Sequence, residues 1–208
     1  MSDKGVRATD ELGQVIRNWP PLEHNAVLSM IEKRTRYFRH AYKEGGSIEF
    51  LKGFYEAFDE IQAERVTGVS CKKGCHLCCR INVTIWKDEA ALIAEYCREH
   101  DISIPRAYLE EQLKYGWKEV AATDVGWCVF LKNGECSIYP VRPLGCRKYH
   151  VSSPPELCDT VKYPSDKGHR VAVAVFTFPE IDASAFYGLM AEKGKSGRLP
   201  EMLLPYSK

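Results

Sequence analysis

The sequence predicts a mainly α protein with a small irregular β and loop region, a helical scaffold built around a cysteine-ligated metal centre. Three observations point there. Two apolar stripes of helical period occupy the stretch before residue 66, nine cysteines are spread over the chain with four of them in CKKGCHLCC at 71–79, and the segments around most cysteines are short and rich in Gly, Pro and basic residues. At 208 residues and 23.7 kDa, with 45% hydrophobic and 27% charged residues, the chain is long enough for one sizeable core with small appendages.

Taken in order, residues 1–21 are polar and end in Trp19-Pro20-Pro21, which predicts a flexible N-terminal arm stopped by prolines. Residues 22–66 predict a helical hairpin. Its first stripe carries Val27, Met30, Ile31, Tyr37, Phe38 and Ala41 and stops at Gly45-Gly46; its second starts from a Ser47 cap and carries Ile48, Leu51, Phe54, Tyr55, Phe58 and Ile61. Residues 67–160 form the predicted cysteine-cluster core. Within it, Ile81, Val83 and Ile85 alternate with Asn82 and Thr84 as a short strand or extended segment, Asp88 caps a helix through EAALIAEYCREH, and another helix runs from Pro105 to Val120. The turn Lys132-Asn133-Gly134 then joins two short apolar runs as a hairpin. Residues 161–208 are predicted to pack on the same domain, with VAVAVFTF at 171–178 open to strand or helix, a helix near 183–193 and a polar tail.

Charge excludes several classes. Twenty-nine basic against 28 acidic residues give +1, a balance that argues against a general nucleic-acid binder or a polybasic membrane protein. No run of eighteen apolar residues occurs and MSDKGVRATDELG has no apolar signal core, so the chain reads as cytoplasmic, with a protein partner or substrate of unknown identity and no membrane. In a reducing compartment the thiols stay free unless a metal takes them.

The chemistry is therefore in the cysteines. Cys97 shares the apolar side of a helix with Ile93 and Ala94 and reads as a core residue. Eight remain: Cys71, Cys75, Cys78, Cys79, Cys128, Cys136, Cys146 and Cys158, enough for two four-thiolate sites, since tetrahedral zinc and cubane iron–sulfur clusters each take four. Adjacent residues are expected to project their side chains apart, so Cys78 and Cys79 favour two neighbouring centres or one larger cluster. Lys72, Lys73, Arg80, Arg142, Arg147 and Lys148 stand beside these cysteines and are expected to donate to sulfur and lower thiol pKa values. The spacing CxxxCxxC also occurs in radical enzymes that use S-adenosylmethionine, but here it follows a helical hairpin, and too little chain remains for their barrel.

CKKGCHLCC, followed by GWCVFL and then CSIYPVRPLGCR, resembles the YkgJ-like or CxxCxxCC cysteine-cluster family, described as zinc- or iron-chelating. The resemblance spans roughly residues 70–150, with three residues between the first two cysteines where the family's name has two. Matched position by position, it implies Cys71, Cys75, Cys78 and Cys79 as the first cluster, Cys128, Cys136 and Cys146 as the later ligands and Cys158 as the eighth, holding an iron–sulfur cluster or zinc. It further implies a likeness to flagellin lysine N-methylases, which use S-adenosylmethionine, although no GxGxG loop follows a strand in this chain.

Other residues carry competing readings. His76 is a possible replacement ligand and His150 a polar loop residue. KRTRYFRHAYK reads as a solvated helix face, and Arg142 with Pro143 reads as the brace of the loop presenting Cys146. Three functions follow: an iron–sulfur protein in a redox or protein-modification role, a structural zinc module, and an S-adenosylmethionine-dependent protein lysine methyltransferase. Iron–sulfur is favoured because adjacent thiolates suit a cluster or paired centres.

Overall fold

The computed structural model describes residues 48–56, 58–59, 69–72, 74–151, 153–163 and 194–208. These are mainly helical, with four short strands among them, in keeping with the predicted class. The N-terminal arm, the first half of the predicted hairpin with its Ser47 cap, the KRTRYFRHAYK face and the 171–193 elements lie outside the described residues.

Helix α1 is described over 48–56 and 58–59, the second predicted stripe. Its Phe50, Leu51, Phe54, Tyr55 and Phe58 are buried against Leu92 and Leu144, with the Phe54 ring 6.0 Å from Phe50 and 5.9 Å from Phe58. The expected extended segment is β1, Thr84–Trp86, and it leads directly into α2, Lys87–Glu99. Trp86 is the N-cap of this helix, so Asp88 lies in the first turn instead of capping it. The capping contact comes from Glu89, whose Oε2 accepts the Trp86 N–H at 3.0 Å, three residues back across the turn. Helix α3 covers Arg106–Leu113 and stops well short of Val120, which begins a separate 3-10 turn, Val120–Ala122. The predicted hairpin is present: β2, Leu131–Lys132, pairs antiparallel with β3, Glu135–Cys136, and Asn133 and Gly134 adopt φ of 53° and 80°, as a two-residue turn of this twist requires.

Residues 194–208 are structured where the sequence suggested a polar tail. Strand β4, Ser196–Arg198, pairs antiparallel with β1, Thr84 opposite Arg198, and the chain continues into α5, Leu199–Leu203. Leu199, Met202 and Leu203 complete a second core with Ile85, Ile93, Cys97, Leu109, Phe130 and Ile138. The helix is a single turn and a half, too short for its apolar residues to show a period.

Two polar fastenings hold the short helix α4, Leu144–Arg147, which carries Cys146. Glu89 is 2% exposed and its Oε1 accepts both the Tyr55 hydroxyl at 2.6 Å and the Leu144 N–H at 2.9 Å. Burial raises its pKa, while these hydrogen bonds and the Trp86 N–H oppose the rise. Arg147 is 1% exposed: it lies 4.1 Å over the Tyr55 ring, pairs with Asp59 of α1, and donates to the Arg142 carbonyl at 2.9 Å and to the Pro140 carbonyl. Arg142 reaches the same Asp59 at 3.3 Å and stacks on Tyr139.

Removal of the Glu89 carboxylate leaves the Tyr55 hydroxyl and the Leu144 and Trp86 N–H groups without their acceptor. Glu89→Ala is therefore expected to destabilise the fold by about 3 kcal/mol, read as a lower urea midpoint at unchanged slope. A loss below about 1 kcal/mol would show that these donors find other partners.

Candidate metal site

The first cysteine segment is shaped by one glycine and one 3-10 turn. Gly74, at φ 84°, allows the reversal in which the Cys75 N–H meets the Lys72 carbonyl at 3.0 Å. Leu77–Arg80 then forms the 3-10 turn that carries Cys78 and Cys79. Here the expectation for the doublet is corrected. Within this tight turn the two thiols stay near enough for each to shift the other's protonation, instead of being sent to opposite sides.

Cys128 is placed by α3. Gln112 donates to the Val125 and Trp127 carbonyls at 2.7 and 2.9 Å, and Tyr108 donates to the Trp127 carbonyl at 3.0 Å. Gly126 fits between them and the preceding 3-10 turn, where any Cβ would stand 2.6 Å from the Val120 and Ala121 carbonyl oxygens. The Cys128 N–H then donates to the Cys79 carbonyl at 2.8 Å, which ties the two cysteine segments together. Cys136 is on β3 opposite Leu131, Cys146 is on α4, and Cys158 ends the 3-10 turn Pro155–Cys158. All three are thus in short regular elements.

A cavity of 250 Å³ gathers the result. Cys71, Cys75, Cys78, Cys79, Cys128, Cys136 and Cys146 all line it, whereas Cys158 is buried and not part of its lining. Cys97 is 2% exposed in the second core, away from this wall, and burial pushes its thiol up to about 11. Among the described residues, no three His, Cys, Asp or Glu side chains converge closely enough to enclose a single ion. The seven sulfurs surround a space.

Protonation follows the packing. The neighbouring Cys79 thiol brings Cys78 down to about 7, while Cys78 and burial hold Cys79 far above the usual thiol range. Burial pushes Cys128 and Cys158 up to about 12 and also raises Cys71 and Cys136. Cys146 opens onto the cavity, yet the surrounding protein and then Cys128, Cys78 and Cys136 hold it well above the usual value. A polarised Cys78 beside several protonated thiols is a donor set suited to a metal that displaces the protons.

The flanking cations act differently from expectation. Arg142 and Arg147 donate to Asp59 and backbone carbonyls, so their attraction for Cys136 is through space and is outweighed by its burial. Arg80 lies 4.2 Å over the Trp127 ring. Sulfur receives a backbone donor instead, the Val151 N–H at 3.4 Å from Cys71 Sγ. Lys73 lies outside the described residues.

His76 does not line the cavity. Its Nδ1 meets the Gly74 carbonyl at 3.0 Å and its ring lies 5.6 Å from Trp127. His150, read from sequence as a loop residue, is in the cavity wall with Tyr149; its buried Nδ1 has no partner among the described residues, and burial lowers its pKa. Gln112, Glu89 and Asp59 were missed as site-building residues. For Glu89 a signal existed, since a carboxylate three and four residues before Leu92 and Ile93 shares the apolar face of the helix.

No helix among the described residues is long and apolar enough to cross a membrane. No curated protein and no solved structure matches the chain. Residues 70–168, which contain all eight predicted ligands, match the CxxCxxCC family, described as a putative zinc- or iron-chelating domain, and this segment of the chain belongs to that family.

Proposed function

We propose that the protein binds metal through the thiols around the cavity, and that the group held there is an iron–sulfur cluster serving a redox step with a protein partner. The carrying observation is that seven cysteines line one 250 Å³ cavity while, among the described residues, no three His, Cys, Asp or Glu side chains close on a point. A zinc ion needs four sulfurs at about 2.3 Å from one centre, whereas a multi-iron cluster occupies a space and meets its thiolates at the periphery. The family description supports metal chelation and leaves the metal open.

The donor set fits such a group. Thiolates carry negative charge into a partly buried site, and Arg142 and Arg147 contribute opposing charge near Cys136. An iron–sulfur cluster, when bound, supplies one-electron chemistry. The chain supplies the rest: Gly74 and the 3-10 turns Leu77–Arg80 and Pro155–Cys158 set the path of the cysteine segments, and the Val151 N–H stabilises negative charge on Cys71.

Anaerobic purification followed by iron, sulfide and zinc analysis and a visible spectrum tests the reading. The expected protein is brown, with iron and sulfide in comparable amounts and broad absorption that bleaches on reduction. A colourless, zinc-loaded protein without sulfide would overturn the iron–sulfur assignment in favour of a structural zinc module.

Variants separate ligands from core. Cys75→Ser and Cys146→Ser are each expected to carry less metal than the unsubstituted protein and to unfold at lower temperature, whereas Cys97→Ala keeps full metal content. Equal metal content in all three would refute the ligand assignment.

A further inference from the structure

The backbone divides the eight cysteines into two sets that meet at the doublet. The first set lies along one strap of chain. Ser70 donates to the Val151 carbonyl at 2.8 Å and Val151 returns a hydrogen bond to Cys71 Sγ at 3.4 Å, so the segment after Tyr149 runs beside the start of CKKGC. That strap continues into the Pro155–Cys158 turn, which packs against the Leu77–Arg80 turn. Cys158 is thereby brought to Cys71, Cys75 and Cys78, the three thiols whose charges bear on it.

The second set hangs on the carbonyl of Cys79. Cys128 donates to it at 2.8 Å, and the chain from Cys128 turns through Leu131, whose N–H meets the Cys128 carbonyl at 3.0 Å, to the hairpin that returns with Cys136 opposite Leu131. Helix α4, fixed by Glu89 and Arg147, closes this side with Cys146, which is within electrostatic reach of Cys128 and Cys136 and of Cys78 at the seam. Cys79 in turn has Cys128 and Cys146 as neighbours.

We infer that the protein holds two adjacent four-thiolate centres, one from Cys71, Cys75, Cys78 and Cys158 and the other from Cys79, Cys128, Cys136 and Cys146, with the doublet contributing one ligand to each. This rests on the metal-binding reading and deepens it; it does not depend on whether the native group is iron–sulfur or zinc. The count closes at four and four with no thiol shared and none left over. Because Cys78 and Cys79 are consecutive residues of one 3-10 turn, the two centres are neighbours.

Cobalt(II) titration of the full chain, stripped of metal under reducing anaerobic conditions, tests the division, because thiolate-to-cobalt absorption reports each occupied four-sulfur site. Absorbance of the unsubstituted protein is expected to saturate near two equivalents. Cys71→Ser and Cys136→Ser should each saturate near one, Cys71→Ser with Cys158→Ser should still reach about one, and Cys71→Ser with Cys136→Ser should show no four-sulfur absorption. Saturation of the unsubstituted protein near one equivalent would overturn the division while leaving metal binding intact, and requires no variant to fold. Loss of all absorption in folded Cys71→Ser would overturn it as well, by revealing a single shared cluster. Absence of any cobalt uptake by the unsubstituted protein would overturn both the division and the reading beneath it.

Discussion

Everything at the site depends on keeping Cys146 and its short helix in place, and that is done by the buried carboxylate of Glu89. A four-residue helix cannot hold itself, since its nucleation costs more than its few hydrogen bonds return. Glu89 supplies what is missing by accepting from Leu144, the first residue of α4, while the same oxygen accepts from Tyr55 of α1 and the other oxygen from Trp86 at the start of α2. Three elements are joined at one group. The cost is a charge with 2% exposure, and three donors offset it by replacing the lost water.

Arg147 repeats the logic from the opposite end of α4. Its guanidinium spends its donors on Asp59 and on the carbonyls of Arg142 and Pro140, and its face on Tyr55. A lysine has one ammonium and no planar face, so it could not serve these partners together. The loop YPVRPLGCR is therefore braced by its own arginines, and the prolines restrict the chain between them. The sequence reading assigned bracing to Arg142 and Pro143; the larger share belongs to Arg147, which that reading had directed at sulfur.

How much of this was legible depends on the range of each signal. The stripes of α1 and α2, the Asn133-Gly134 turn and the core position of Cys97 are local patterns, and the structure has them. The end of α3, the structured residues 194–208 and the roles of Gln112 and Asp59 rest on contacts between distant segments. Gln112 looks like any helix residue until the loop of Val125 and Trp127 is folded beside it. Trp86 rather than Asp88 became the N-cap because β1 pairs with β4 through Trp86 and fixes it in extended geometry, a constraint from a strand more than a hundred residues away.

The doublet shows how a local rule fails and what its failure reveals. Side chains of adjacent residues diverge in a strand and stand about 100° apart in an α-helix, which suggested two sulfurs aimed at separate places. In the 3-10 turn Leu77–Arg80 each thiol shifts the other's protonation, so they are neighbours after all. The charge of Cys78 reaches both sides of the turn, but the backbone attaches the two residues differently. Cys79 is tied by its carbonyl to the hairpin of Cys128, while the turn as a whole packs on that of Cys158. Two consecutive thiols, each with its own set of partners, are the arrangement needed at a seam between two centres, and a single four-coordinate ion would leave one set unused.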